Sequence, residues 1–170
     1  MKKILQDYKD GKIELSKVIE KIKSLPFDDL DFAKIDTHRS IRKGFPETIF
    51  CKGKTVHQII EIIKVMSNKE QNVLATKADK NIFSAVKKIF PNAEYNTLAK
   101  TITIKNHEIK LKKGKILIIT AGTSDIPIAE EAVVTAELMG NLTEKVYDVG
   151  VAGVHRLLEF KDKIFKANVI

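Results

Sequence analysis

Residues 115–140, KILIITAGTSDIPIAEEAVVTAELMG, join a run of apolar residues to an amphipathic segment through a short polar turn. The run 115–120 is typical of a buried parallel strand, and residues 128–140 are typical of a helix that ends at Gly140. The polar turn is therefore a strand-to-helix connection. In open α/β sheets such connections lie at the carboxyl edge of the strands, where free N–H groups of the next helix face anionic ligands. This stretch predicts an α/β fold with a ligand-binding edge.

The same pattern of strand, turn and helix repeats toward the C-terminus. VYDVGVAG, residues 146–153, predicts a second buried strand with a glycine-bearing turn, and residues 155–165 predict a further helix. ANVI, residues 167–170, is typical of the start of a third parallel strand. Two strands and two helices alone would expose a sheet face and an unpaired edge. We therefore expect either a truncated, parallel three-layer αβα unit or a partner chain or oligomer that covers the edge.

The first 113 residues predict a small N-terminal region of helices and α/β structure. Two short helices are expected first, one closed near Gly11 and one stopped by Pro26. Thr55 and Gln58 form a capping box, which predicts the start of a third helix. Gly114 is the expected boundary between the domains, which are residues 1–113 and 114–170.

Apolar periodicity places the remaining elements of the N-terminal region. The expected elements are strands at 48–51 and 72–76, a buried helical stripe of Val56, Ile59, Ile60 and Ile63, a helix over 79–89 with Ile82, Phe83, Val86 and Ile89 inward, and strands at 101–104 and 108–111, the last two as a possible hairpin.

Composition and charge exclude several classes of protein. The 170 residues are 44% hydrophobic and 31% charged, as in ordinary globular proteins, and no apolar run approaches a membrane span. The N-terminus turns polar too early for a signal peptide, and the single Cys51 agrees with a reducing compartment, so a cytoplasmic location is expected. The net charge of +8 comes from basic residues that alternate with acidic ones along the chain. This pattern favours a solvated surface over a nucleic-acid partner, and the basic excess can also assist a phosphorylated substrate.

Two turns carry the candidate site residues. The first contains Gly122, Thr123, Ser124 and Asp125, and its hydroxyls and carboxylate could either bind a ligand or simply cap the following helix. It lacks the lysine of a GxxxxGK[ST] loop and is not a GxGxxG motif, which disfavours ATP hydrolysis and a dinucleotide-binding Rossmann site.

The second turn contains Gly153, His155 and Arg156, at the end of the neighbouring predicted strand. Arginine can hold a phosphate or carboxylate through two hydrogen bonds, and histidine can move a proton near neutral pH. Because the carboxyl ends of adjacent parallel strands meet at one edge, we expect these residues to lie opposite the first turn.

These motifs resemble the nickel-pincer cofactor biosynthesis carboxylases, also called pyridinium-3,5-biscarboxylic acid mononucleotide synthases. The resemblance rests on AGTSDIP with AEEA at 121–132, on DVGVAGVHRLL at 148–158, and on IDTHRSIRKGFPETIF at 35–50 followed by GKT. More distantly, the second unit is similar to the purine-pathway carboxylases that act on aminoimidazole ribonucleotide, which share a SerAsp turn and an AlaHisArg turn on a flavodoxin-like sheet.

The resemblance implies an enzyme that carboxylates the pyridinium ring of nicotinic acid adenine dinucleotide and cleaves its phosphoanhydride, releasing AMP. It implies CO2 or bicarbonate as co-substrate, magnesium as a candidate ion, no tightly bound cofactor, no nucleic-acid or membrane partner, and a homo-oligomer. It assigns Ser124 and Asp125, with Gly122, Thr123 and Gly153, to the ribose or phosphate, Arg156 to an anionic group, and His155 to substrate binding or proton transfer.

Arg39 and Arg42 lie three residues apart in the N-terminal motif, on one face of a helix. They are candidates to hold a substrate phosphate. Alternatively, and with equal weight, the two arginines form ion pairs with Asp36 or Glu47 and so join the two regions of the chain.

The chain also departs from the family that it resembles. The family's remaining third has a glycine-rich loop and a cysteine that attacks the pyridinium ring, and neither is present. Cys51 stands outside that context and is more typical of a small buried hydrophobe. The four histidines lack metal-ligand spacing. Two alternatives therefore stay open: a purine-pathway carboxylase or mutase, and a nucleotide-binding module without catalysis.

Overall fold

The computed structural model describes residues 2–23, 27–36 and 39–170, and it is a mixed α/β structure, as predicted. The chain begins with α1 (Lys2–Lys9) and α2 (Leu15–Lys23), which contact each other across a turn in which Gly11 has a φ of +68°. A two-stranded hairpin, β1 (Asp28–Asp29) with β2 (Lys34–Ile35), and the short helix α3 (Arg39–Lys43) follow. Both predicted helices are confirmed, whereas the predicted stop at Pro26 lies outside the described residues.

The first large sheet has the strand order β3-β4-β6-β5. Its elements are β3 (Thr48–Phe50), α4 (Val56–Asn68), β4 (Val73–Thr76), α5 (Lys80–Ile89), β5 (Glu94–Asn96) and β6 (Thr101–Ile104). β3 and β4 are parallel and the other pairs are antiparallel. Both bonds of the predicted capping box between Thr55 and Gln58 are present at the start of α4, and Asp79 caps α5.

One face of this sheet forms the main core with α4 and α5. Ile59, Ile63 and Met66 of α4 pack there with Ile102 and Ile104 of β6. The stripe on α4 also includes Ile62, whereas Val56 is exposed. The inward position predicted for Ile89 is wrong: it is 47% exposed, because α5 ends there and the next residue, Phe90, packs on the core instead.

The hairpin predicted between 101–104 and 108–111 is also wrong, because residues 108–111 form no strand. Asn72 Oδ1 accepts hydrogen bonds from the backbone N–H groups of Asn106 and His107, at 2.8 and 3.1 Å. Asn106 Nδ2 donates to the carbonyl of Gln71 at 2.6 Å. The chain after β6 is thus bound to the α4–β4 connection, and β6 pairs with β4 and β5.

The second sheet is parallel and small. It contains β7 (Lys115–Ile119), α6 (Ile126–Leu138), β8 (Leu142–Val146), α7 (Val154–Leu158) and α8 (Lys161–Lys166). On the other edge of β7, Val169 forms a parallel bridge with Ile116 and accepts the Leu117 N–H at 2.9 Å. The predicted start of a third strand is confirmed, and the order β8, β7, third strand is that of a flavodoxin-like sheet.

Two element boundaries in this half differ from the prediction. β8 lies at 142–146 and not at 146–153, because Asp148 has a φ of +60° and turns the chain out of the sheet. As an edge strand, β8 carries charged side chains that a search for apolar runs misses, and Lys115 pairs with its Glu144. The helix predicted over 155–165 is divided into α7 and α8 at Glu159 and Phe160.

Helix α6 connects the two halves of the chain, because it contacts β7 and β8 on one side and β4 and β6 on the other. The backbone N–H of Lys112 donates to the carbonyl of Gly140, at 2.7 Å, and fixes the linker against the end of α6. The division at Gly114 stays a prediction. No helix in the described ranges has both the length and the apolar character that crossing a membrane requires.

Candidate functional site

The turn after β7 is a single 3-10 turn, Thr123–Asp125, that leads directly into α6. The backbone N–H of Gly122 donates to Asp125 Oδ2 at 3.1 Å, so this carboxylate closes its own turn. Thr123, Ser124 and Asp125 are exposed, and Pro127 lies in the first turn of α6. Asp125 occupies the N-cap position of α6, but its side chain makes no capping hydrogen bond to that helix and instead closes the preceding turn. The Ser124 hydroxyl is exposed at the start of the 13-residue helix.

The turn after β8 is bound to the first turn through Thr120, which is 5% exposed. Thr120 Oγ1 accepts the backbone N–H of Asp148 at 3.1 Å, and its carbonyl accepts that of Val149 at 3.0 Å. A Cβ atom on Gly150 would lie only 2.8 Å from the carbonyl oxygen of Ala121. The two turns are thus in direct contact, as the parallel pairing of β7 and β8 leads one to expect.

His155 and Arg156 lie in the first turn of α7, next to this contact. His155 is exposed, and its ring makes no hydrogen bond within the described part of the chain. Arg156 Nη1 donates to Asp148 Oδ2 at 2.8 Å, and its guanidinium lies over Gly153, where a Cβ atom would be 2.6 Å from Nε. Both side chains of this ion pair are more than two-fifths exposed, so it adds little to stability and an anion can reach Arg156.

Asp148 is the site residue that sequence reasoning missed. The sequence contained a signal for it, because it is the acidic residue that opens the same motif, eight positions before Arg156. Its left-handed backbone, which is uncommon outside glycine, directs its side chain to the guanidinium.

The structure does not bring the Arg39 side chain to these turns. Arg39 lies over the ring of Phe45, 5.5 Å from its centroid, and its buried Nε has no hydrogen-bond partner among the described residues. Phe45 borders a surface groove with Lys112 and Met139, at the C-terminal end of α6. The first turn is at the opposite end of this 13-residue helix, about 20 Å away.

The alternative role of the N-terminal motif, pairing of its arginines with Asp36 or Glu47, stays a prediction. Glu47 accepts the backbone N–H of Asp36 at 2.9 Å, which fixes the segment between β2 and β3. The structure describes Arg42 only by its backbone, within α3, so the prediction for its side chain lies outside the described residues.

Cys51 lies at the end of β3 and is 1% exposed. Burial raises the pKa of its thiol from 9.0 to about 11, although the nearby Lys54 ammonium offsets part of this rise. A thiol of this kind is mostly protonated and is a poor nucleophile at neutral pH.

The Cys51 thiol is expected to react with a disulfide reagent at pH 8 at least about 100-fold more slowly in the folded protein than in the urea-unfolded chain. A rise of two units in the thiol pKa by itself lowers the fraction of reactive thiolate about 100-fold. Release of the chromogenic thiol with time measures the rate, and stoichiometric labelling of the native protein within seconds would contradict the prediction.

Metal-ligating side chains do not cluster in residues 2–23, 27–36 and 39–170: no group of three or more His, Cys, Asp or Glu side chains lies in a position to hold a metal ion. His57 is exposed in the first turn of α4. His107 is exposed, and its Nδ1 lies 2.9 Å from the carbonyl oxygen of Glu70.

Alanine at Gly150 is expected to cost about 1–2 kcal/mol of unfolding free energy, because its Cβ would meet the backbone of Ala121 and force the two turns apart. Alanine at Gly153 is the matched control. There the Cβ meets only the end of the flexible Arg156 side chain, so we expect a change within about 0.5 kcal/mol. Urea unfolding followed by circular dichroism measures both, and equal costs would show that the contact between the turns is not tight.

Comparisons with known proteins agree with the N-terminal motif at residues 35–50. A family model described as the LarB/PurE-like N-terminal domain matches residues 27–107, which include β1 to β6. The uncharacterized protein MJ0165 of Methanocaldococcus jannaschii is 36% identical to the chain over 176 residues. This alignment covers 99% of the chain and 69% of the relative, and so includes both candidate turns.

Proposed function

Because the chain belongs to the LarB/PurE-like family of carboxylase-type enzymes, we propose that it carboxylates the pyridinium ring of nicotinic acid adenine dinucleotide. The reaction would also cleave the phosphoanhydride and release AMP, as a step of nickel-pincer nucleotide cofactor biosynthesis. CO2 or bicarbonate supplies the carbon. The observation that carries the proposal is the contact between the turns at 121–125 and 150–156, which brings together the residues of both motifs.

The first turn is suited to the ribose and phosphate part of the substrate. The Ser124 hydroxyl is exposed beside the N-terminal end of α6, whose free N–H groups and dipole favour an anion. Asp125 holds the turn in shape through the Gly122 N–H and presents its second carboxylate oxygen to ribose hydroxyls.

The second turn is suited to anion binding and proton transfer. Arg156, oriented by Asp148, offers its remaining N–H groups to a carboxylate or phosphate of the substrate. His155 is next to it and open to solvent, where its imidazole can reach a bound substrate as a general acid or base. Cys51, buried in the other half of the chain, takes no part in this role.

The experiment uses two proteins: this chain, and a fusion of it to the part of the Methanocaldococcus relative that the alignment leaves uncovered. Each is incubated with nicotinic acid adenine dinucleotide and ¹³C-bicarbonate, with and without magnesium, and AMP and the mononucleotide product are followed by mass spectrometry. Labelled dicarboxylated mononucleotide together with AMP supports the proposal. AMP without label would indicate a hydrolase, and the absence of both products from both proteins would overturn the proposal.

Turnover of aminoimidazole ribonucleotide is the second candidate, favoured by the SerAsp and HisArg turns taken alone. The same two proteins are assayed with that substrate and labelled bicarbonate. Product from this substrate alone would move the function to purine synthesis, while saturable nucleotide binding without any product would indicate a binding module.

We also propose that the protein acts as a homo-oligomer, as the family resemblance implies. Large apolar side chains of the second unit are exposed, among them Val151 and Phe165 at 92% and 85%. Sedimentation velocity over a range of concentrations tests this, and a monomer throughout, for the chain and for the fusion, would contradict it.

A further inference from the structure

An open groove of about 540 Å³ lies between α6 and the edge of the first large sheet, away from the candidate turns. Its floor is formed by β5 and β6, in which Asn96 pairs with Thr101 and Glu94 pairs with Thr103. These four side chains face α6, because Ile102 and Ile104 alternate with them and point into the main core. The size of the groove falls within the range of small-molecule sites.

The floor of the groove is unusual for a sheet face that a helix covers, because it is polar. Thr101 is 0% exposed, and its hydroxyl has no hydrogen-bond partner among the described residues. A buried polar group without a partner costs stability, and natural proteins retain few of them. A ligand hydroxyl or amide that reaches the floor would supply the missing hydrogen bond.

The walls and the mouth of the groove are largely apolar. Leu98 and Leu111 line it and are 55% and 68% exposed, and Val134 and Leu138 of α6 lie beside them. A ligand that matches both the polar floor and the apolar walls therefore carries hydroxyls at one end and an apolar or aromatic ring at the other.

The charges of the lining disfavour phosphorylated ligands. The charged side chains of the groove are Glu94, Glu130, Glu137 and Lys105. Lys105 already pairs with Glu94 at 3.2 Å, and Lys145 pairs with Glu130 at 2.8 Å, so Glu137 is left without a lysine partner among the described residues. A phosphate in this groove would meet net negative charge.

We infer that this groove is a second ligand site, for an uncharged or cationic molecule that combines hydroxyls with a flat ring, the chemistry of a nucleoside without phosphate. Asn96 and Glu130 link the groove to the candidate turns. Asn96 Nδ2 donates to Glu130 Oε2 at 3.1 Å, and Tyr147, next to Asp148, donates to Glu130 Oε1 at 2.9 Å. The inference does not depend on the proposed function.

The test is a titration of the ¹⁵N-labelled chain with the four ribonucleosides and their 5′-monophosphates, followed by amide chemical shifts. We expect saturable shifts at residues 94–103 and 130–138 with at least one nucleoside, and binding of its monophosphate at least tenfold weaker. Thr101→Val, which keeps the shape of the side chain, should weaken binding about tenfold. Thr76→Val is the matched control, because Thr76 is a buried threonine of the neighbouring strand that does not line the groove.

Three results would overturn the inference: no saturable shift with any nucleoside, tighter binding of a monophosphate at the groove, or equal binding by the Thr101→Val and wild-type proteins. Shifts confined to residues 120–125 and 147–156 would also overturn it, but would leave the proposed function intact. Conversely, failure of the carboxylation assay has no bearing on nucleoside shifts in the groove.

Discussion

A His155→Ala variant is expected to turn over nicotinic acid adenine dinucleotide about 100- to 10,000-fold more slowly than the unsubstituted protein, in whichever form of the chain is active. His155 carries the imidazole of the two turns, the side chain that most often acts as general acid or base, and it is exposed next to Arg156. Because its ring makes no hydrogen bond in the described part of the chain, its removal should leave the thermal midpoint unchanged within about 2 °C.

The kinetic constants separate the role of His155 from that of its neighbour. Loss of a proton-transfer group lowers kcat and leaves substrate affinity nearly unchanged, whereas Arg156→Ala should mainly raise KM, since it removes an anion contact. His155→Gln, which keeps hydrogen bonding but not proton transfer, should resemble the alanine variant. Wild-type turnover in both His155 variants would exclude this histidine from the chemistry, and rescue by glutamine would assign it to substrate binding.

Local signals in the sequence were sufficient for the elements that position the site. The Thr55–Gln58 capping box depends on residues close together in the chain, so its pattern specifies it. The strand character of residues 167–170 is also a local signal, although the partner of Val169 in the sheet is the distant Ile116. The contact of the two turns follows from the same logic, because parallel strands joined by one helix place their carboxyl ends side by side. Gly150, in the glycine-bearing turn that the sequence predicts, permits the close approach of the backbone at Ala121.

Partners distant in the chain could not be predicted in this way. Alternation at 108–111 indicates a strand but does not identify its partner. The backbone just before this segment is instead hydrogen-bonded to Asn72, 34 residues before Asn106. Likewise, helical spacing places Arg39 and Arg42 on one face, but the position of α3 in the fold depends on packing around Phe45. Asp148 opens the motif of the second turn, but its link to Arg156 depends on a left-handed backbone at an aspartate, a conformation that the motif does not predict.

Glu130 is the other position where substitution should have a large effect, and sequence analysis placed it only within an amphipathic helix. Its carboxylate is buried and accepts hydrogen bonds from Asn96, Lys145 and Tyr147, so it joins the first sheet to the strand that leads into the second turn. Glu130→Ala would leave three donors without their acceptor, and we expect it to cost about 2–4 kcal/mol of unfolding free energy. The adjacent Glu131→Ala is the matched control. Glu131 also pairs with a lysine, Lys77, but at the surface, so its loss should cost at most about 1 kcal/mol.

The pH dependence of this difference identifies the ionised carboxylate as the stabilising group. Burial raises the pKa of Glu130, but the hydrogen bonds from Lys145, Tyr147 and Asn96 outweigh it and leave the pKa below the ordinary 4.5. A carboxyl group whose pKa is lower in the folded state stabilises the fold above its unfolded pKa, and this contribution is lost as the pH falls through the folded value. Urea unfolding of Glu130→Ala and the wild type should therefore differ fully at pH 7 and progressively less below pH 4.5. If the difference in unfolding free energy between the two proteins is independent of pH, Glu130 acts through packing alone. Tyr147 would then be held beside Asp148 by other contacts.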